Sequence, residues 1–149
     1  MEIRRLQEND HELLASAIEL LIPEEDRCGK AEGEARRKQT LERRDCYFIV
    51  CLVDSTPVGY LSAYRFPEVE SAEFFVYLFD IIVDERFRRK GIGSRMIEEL
   101  KKQCREDQVA SIEVGTSVEN EAAQRTYEGT GARKVETCVS YLYELDEDA

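Results

Sequence analysis

Two periods of apolar residues run along this chain, and the switches between them mark out its elements. Glu2 to Leu6 reads as a short first strand. His11 to Ile22 places Leu13, Leu14, Ala17, Ile18 and Leu21 at helical spacing, and Pro23 stops it. Pro23 to Asp45 is highly charged, with a helix expected over Glu34 to Arg44. Cys46 to Val53 is a strand, Asp54-Ser55-Thr56-Pro57 a turn, and Val58 to Phe66 its hairpin partner. Pro67 to Glu73 reads as an acidic loop. Phe74 to Val83 is almost continuously apolar, as expected of a central strand covered on both faces. After Gly93 the segment Ser94 to Cys104 sets Met96, Ile97, Leu100 and Cys104 on one side of a helix. Ala110 to Val114 is the next strand, Asn120 to Gly129 a helix and Thr137 to Leu145 a last strand. The predicted order is βααβββαβαβ, an α/β fold with a mixed central sheet flanked by helices.

Composition narrows the class. A chain of 149 residues with 42% hydrophobic and 36% charged positions suits one domain with a real core, here residues 1–149. No apolar run approaches the length of a membrane span, and Met1 opens directly into a charged segment, so neither a membrane partner nor a signal peptide is expected. Five scattered cysteines without C-x-x-C spacing suggest reduced thiols and a cytoplasmic protein. No metal site is expected, because His11 is the only histidine. It sits near a probable helix start, where a surface role is the simplest reading. The formal charge of −11 argues against nucleic acid and is compatible with a cationic small-molecule substrate, or with solubility alone. The terminal Asp146-Glu147-Asp148 reads as a solvated tail.

Against that acidity, Arg86, Arg88, Arg89 and Lys90 form a basic island leading into Gly91-Ile92-Gly93-Ser94. Strand, basic glycine turn and helix make the geometry of a phosphate cradle. The glycines permit close backbone approach, and the helix start offers free N–H groups with a favourable dipole. Asp80 is the one charge between Phe74 and Val83. An ionised carboxylate in a buried strand is expensive unless it is paired or reached by water in a cleft. Either a buried hydrogen bond satisfies it, or it faces a substrate cleft where it binds or deprotonates an ammonium group.

The pattern Arg88-x-x-Gly91-x-Gly93, after a strand ending in Val83-Asp84, resembles the acetyl-CoA signature of the GNAT acetyltransferase superfamily. Asn120-x-x-Ala123-x-x-x-Tyr127-Glu128-x-x-Gly131 resembles the second half of that signature. Ala132 departs from it, standing where the family usually has a bulky aromatic. From the residues alone, Asn120 suits a helix N-cap, and Tyr127 lies on the same helix face as Ala123. The resemblance implies more. Acetyl-CoA would be the cosubstrate, its pyrophosphate on the amides of Arg89, Lys90, Gly91, Ile92, Gly93 and Ser94, with Arg88 adding charge. The pantetheine would run along Ile81, Ile82 and Val83, where the fourth and fifth strands splay, and over Asn120 and Ala123. Tyr127 would serve the departing thiolate, and Asp80 would be the base.

A narrower resemblance covers Val58 to Gly93. Val58-Gly59-x-Leu61-x-Ala63-Tyr64-x-x-Pro67-x-x-Glu70, Tyr77-x-x-Asp80-x-x-Val83 and Arg88-Arg89-x-Gly91-Ile92 look like the type I aminoglycoside 3-N-acetyltransferases. It implies antibiotic resistance by acetylation of an aminoglycoside 3-amino group. Asp80 and Glu70 would face the aminoglycoside. Glu73 lies two residues before Phe75, which occupies a position where the subfamily often has Glu. Glu68, Glu70, Glu73 and Asp80 are expected to cluster near the cleft. The alternatives are acetylation of another small amine or of a protein amino group, and a non-catalytic acyl-CoA-binding regulatory module. A homodimer fits this reading too.

Overall fold

The computed structural model describes residues 1–145. The chain divides into two compact units, Met1–Gly115 and a second beginning at Thr116. The acidic tail beyond residue 145 lies outside the described residues.

The first unit is built on five strands: β1 (Glu2–Arg5), β2 (Cys46–Val53), β3 (Thr56–Glu68), β4 (Glu73–Val83) and β5 (Ser111–Glu113), paired in that order. The first three pairings are antiparallel and β4–β5 is parallel. Helices α1 (His11–Leu21) and α2 (Lys30–Leu41) follow β1, and α3 (Ile92–Glu106) connects β4 to β5. The second unit holds α4 (Glu121–Gly129). The mixed α/β architecture is the one expected. No described helix is long and apolar enough to cross a membrane.

Strand alternation divides the core. Phe48, Val50, Leu52 and Tyr60 join Leu14 and Ala17 of α1 and Leu41 of α2 in one cluster. Residues of the opposite parity, including Ile49, Cys51 and Leu61, are fully buried, as are Met96 and Leu100 of α3. Gly59 is where β3 and α3 come closest. A Cβ there would stand 3.1 Å from both Ile92 and Met96 and 3.2 Å from Cys51, so its bare backbone lets the first turn of α3 seat on the sheet.

Several boundaries depart from expectation. The β2–β3 turn is only Asp54-Ser55, with φ of 47° and 64°, and Thr56 already pairs with Val53. Both turn residues are left-handed, the requirement of a two-residue type I′ hairpin, here met without glycine. β3 and β4 extend until Glu68 pairs with Glu73, so the acidic loop shrinks to a tight tip. α2 starts at Lys30 rather than Glu34 and ends at Leu41. The last expected strand, Thr137 to Leu145, is not formed. Residues 132–145 carry no regular structure and are exposed throughout.

Candidate active site

In the first unit β4 ends at Val83 against Gly59 of β3, and the Asp84 N–H donates to the Val58 carbonyl at 2.9 Å. A short 3₁₀ turn, Glu85–Phe87, then leads into the basic loop. Asp84 caps that turn, accepting from the Arg86 N–H at 2.9 Å and from its guanidinium at 2.8 Å. The Arg86 guanidinium beside it pushes the Asp84 carboxyl down to about 2. Arg88 is also tied back, its Nε donating to the Val83 carbonyl at 3.1 Å. Arg86 and Arg88 therefore brace the loop. Arg89 and Lys90 lie beyond them, with the Lys90 ammonium 5.1 Å from the centre of the Phe87 ring.

Arg89 has φ of 61° and Gly91 has φ of 74°, so the chain twists twice into the left-handed region before α3 begins. Gly91 is the N-cap, and its carbonyl accepts the first helical bond from Arg95 at 3.0 Å. The N–H groups of Ile92, Gly93 and Ser94 belong to the first turn and have no partner inside the helix. A Cβ built at Gly91 meets no atom within 4 Å. The space above the loop is thus open where a side chain would enter it, which fits the close approach of a phosphate. Gly91→Val is expected to weaken CoA binding tenfold or more, about 1.4 kcal/mol, while sparing amine binding. It also adds left-handed strain of roughly 1–2 kcal/mol. Calorimetric titration of the folded variant with CoA checks this, and unchanged affinity would remove the cradle.

The second feature is a splay between β4 and β5. Their ladder covers only Phe75–Ser111, Val76–Ile112 and Tyr77–Glu113. Beyond Tyr77 the β5-facing edge of β4, through Ile81, Ile82 and Val83, has no strand beside it among the described residues.

Asp80 is half-buried in that stretch, opposite the buried Ser62 of β3. The register shifts between Ser62 and Ala63, so Ala63 pairs with Leu78 and Phe79 is bulged out. Bulges re-aim side chains, and this one turns Asp80 onto the face shared by Tyr60 and Ser62. An aromatic track lies there. Phe48 stacks on Tyr60 at 6.4 Å, Tyr64 meets Phe48 edge-on at 6.0 Å, and Phe79 meets Tyr64 edge-on at 6.0 Å. Among the described residues no cation pairs with Asp80. Burial raises its carboxyl above the usual carboxylate range, against a hydrogen bond from the Ile81 N–H. Burial likewise raises the Tyr60 and Tyr64 phenols.

The sign of the Asp80 shift has a thermodynamic consequence. Its neutral form is favoured in the folded state, so its stability contribution is present at low pH and lost as pH rises through the raised value. Asp80→Asn mimics the neutral form. It should raise the melting temperature above wild type at neutral pH, with the gap closing below the unfolded carboxylate value of about 3.9. Melting curves across pH check this.

The expected acidic cluster is not assembled. Glu73 opens β4 and Asp80 follows seven residues along it, roughly 20 Å away at strand rise. Glu70 stands at the exposed hairpin tip, and Glu68 accepts from the Ser71 hydroxyl at 2.6 Å. Burial pushes the Cys46 and Cys104 thiols up to about 11 and raises Cys51 as well, which disfavours the thiolate at these three positions. Tyr60, Ser62, Tyr64 and Phe79 are the site residues that sequence reading passed over. Their signal was the alternation Tyr60-x-Ser62-x-Tyr64 in the strand antiparallel to the one carrying Asp80.

The second unit presents the other motif on its own. Asn120 caps α4, its Oδ1 accepting from the Ala123 N–H at 3.1 Å. The helix closes with paired bonds, Gly131 N–H to the Glu128 carbonyl at 3.1 Å and Ala132 N–H to the Tyr127 carbonyl at 3.0 Å. Gly131 has φ of 92°, as this Schellman ending requires. Ala123 and Tyr127 are half-buried on α4.

The profile of the acetyltransferase (GNAT) family matches residues 12–132. No curated protein sequence matches the chain. Among solved structures, an aminoglycoside acetyltransferase, meta-AAC0020, from an uncultured soil metagenomic sample, in complex with trehalose, has a TM-score of 0.87 at 24% identity. That match covers 97% of this chain and 96% of the other. AAC(6')-Iy in complex with the bisubstrate analogue CoA-S-monomethyl-acetylneamine has a TM-score of 0.79 at 18% identity, covering 96% and 97%. A ribosomal-protein-alanine N-acetyltransferase from Brucella melitensis biovar Abortus 2308 has 0.68 at 20%, covering 96% and 100%.

Proposed function

Since the chain belongs to the acetyltransferase (GNAT) family, we propose that this acetyl-CoA-dependent N-acetyltransferase acts on an aminoglycoside amine in the cytoplasm. The observation that carries the proposal is Asp80, a half-buried carboxylate beside an aromatic track, which among the described residues has no cationic partner and lies on a strand edge without a neighbour. A carboxylate so placed suits an ammonium ion, and the rings offer it their faces.

In this reading the amides of Arg89 to Ser94 hold the pyrophosphate of acetyl-CoA. Arg89 and Lys90 supply charge, and Arg88 fixes the loop. Ile81, Ile82 and Val83 form the pantetheine track, and the sequence resemblance assigns Asn120 and Ala123 to the same cofactor. Asp80 takes one proton from the substrate ammonium, directly or through a water. The freed lone pair attacks the thioester carbonyl, and a backbone N–H of β4 stabilises the oxyanion. The C–S bond breaks as Tyr127 donates its proton to the thiolate, and the nitrogen's second proton then passes through water to restore the Tyr127 hydroxyl, leaving the neutral amide and the free CoA thiol. Glu70 and Glu73 act at longer range, raising the local concentration of a polycation, an effect that added salt should reduce.

A thiol-release assay over kanamycin- and gentamicin-class compounds, polyamines and peptides tests the proposal, with NMR of the product giving the acetylated position. The sequence resemblance favours the 3-amino group, whereas one structural neighbour is a 6'-type enzyme by name. Acetylation of peptides alone would move the acceptor to a protein amino group, an activity that another neighbour carries in its name. Binding of CoA without turnover on any amine would leave a regulatory module.

A further inference from the structure

The face of the sheet that carries Asp80 continues past it. Side chains alternate along β3, so Tyr60, Ser62, Tyr64 and Phe66 share one face, and Ser62 is the residue opposite Asp80. Phe66 lies four residues beyond Ser62, roughly 13 Å along the strand at its usual rise. The aromatic track reaches this point, with Phe66 stacked on Phe75 at 5.5 Å. Here, where α2 leads into β2, a cavity of about 350 Å³ opens, and its lining includes Thr40, Arg43, Asp45, Tyr64 and Phe66. Its size is that of a small-ligand site. Tyr64 also meets Phe79 edge-on at 6.0 Å, so it links the cavity with the track beside Asp80.

The charges of this cavity are already balanced. Arg43 donates to both oxygens of Asp45, at 2.9 and 2.7 Å. Arg65 also borders the cavity, but its guanidinium lies 4.8 Å from the centre of the Phe74 ring, on the opposite parity of β3. An added ammonium would meet the Arg43 guanidinium, and an added anion would meet the Asp45 carboxylate. A neutral partner meets neither obstacle. The Arg43–Asp45 fork keeps spare N–H donors and spare carboxylate lone pairs, so it can both give and take hydrogen bonds. The Thr40 hydroxyl donates to the Arg36 carbonyl at 2.6 Å and can still accept. Beside these groups the Phe66 ring is 46% exposed and Tyr64 is half-buried. Donors and acceptors of no net charge beside open ring faces suit a hydroxylated ring. Its hydroxyls pair with the fork, and its C–H face covers an aromatic side chain.

We propose that this cavity is a carbohydrate subsite, which takes an uncharged, hydroxylated ring of the acceptor while the reacting amine sits at Asp80. Its part in acceptor recognition rests on the functional reading above; the affinity of the cavity for such a ring does not. Recognition is then divided along β3. Charge is read at Asp80, and hydroxyls are read at Thr40, Arg43 and Asp45 at the far end of the track. Amino sugars that carry a neutral ring satisfy both ends. A polyamine or a peptide amino terminus satisfies only the first.

Amide NMR spectra of the protein titrated with maltose, a neutral disaccharide, test the cavity without any assay of activity. Shifts centred on Thr40, Arg43, Asp45, Tyr64 and Phe66 are expected, and Asp45→Ala and Phe66→Ala should each abolish them. No shifts at millimolar sugar, or shifts that persist in either variant, overturn the subsite. Kinetics test its use by the acceptor. Asp45→Ala should raise the KM for a kanamycin-class substrate about tenfold, the worth of a hydrogen bond to a charged group, with kcat and CoA affinity unchanged. Phe66→Ala should raise it too, without touching the Arg43–Asp45 pair. An unchanged KM in both variants, or a loss confined to kcat, overturns the role in acceptor recognition. If no aminoglycoside is acetylated, the functional reading fails, while the maltose titration still decides the cavity.

Discussion

Asp80→Asn is expected to lower turnover on aminoglycosides by about 10²–10⁴-fold, the usual worth of a positioned general base. The amide keeps the shape of the carboxyl but holds no charge and takes no proton. Aminoglycoside affinity should fall with turnover, because the same group pairs with the ammonium. CoA affinity should not change, since the cradle lies beyond the end of β4 and gains its charge from Arg89 and Lys90. The pH dependence adds a second signature. Burial raises the Asp80 carboxyl, so the wild-type base becomes available only as pH climbs through that raised value. The gap between wild type and variant should widen over the same range. Steady-state kinetics across pH, beside calorimetry with CoA, checks all three points. Equal turnover would reduce Asp80 to a half-buried structural carboxylate, one whose removal stabilises the fold and costs no activity.

Tyr127→Phe is expected to cost a comparable 10²–10⁴-fold in turnover with little change in CoA affinity. Only the hydroxyl is lost. The ring stays, and the helix ending is made by backbone groups, with the Tyr127 carbonyl accepting from Ala132. Single-turnover rates check this with chemistry isolated from product release. Wild-type rates in the variant would return Tyr127 to packing. A fall in CoA affinity matching the fall in rate would make it a binding residue instead.

The parts of this site that were legible in sequence are those set by neighbours along the chain. The basic loop and Gly91 could be placed because an apolar strand precedes them and an amphipathic helix follows. Asn120 could be read as a cap because its partner, Ala123, is three residues away. What depends on pairing at a distance was not legible. The bulge at Phe79 is a property of the β3–β4 register, and it decides that Asp80 joins Tyr60 and Ser62. The same register carries the hairpin out to Glu68 and Glu73, which separates the acidic residues from Asp80 although they are near it in sequence. The charged stretch before α2 has no apolar stripe to mark where the helix begins. Residues 137–145 alternate as a strand should and yet carry no regular structure, because alternation gives a face and not a partner.

The most direct measurement of the central claim is a competition read by mass spectrometry. The protein and acetyl-CoA are mixed with equal amounts of an aminoglycoside, a polyamine and a peptide with a free amino terminus. The account predicts that the aminoglycoside gains a single acetyl group first, and that Asp80→Asn abolishes this gain while still binding CoA. Acetylation of the peptide or the polyamine ahead of the aminoglycoside, or undiminished acetylation by the variant, would contradict it.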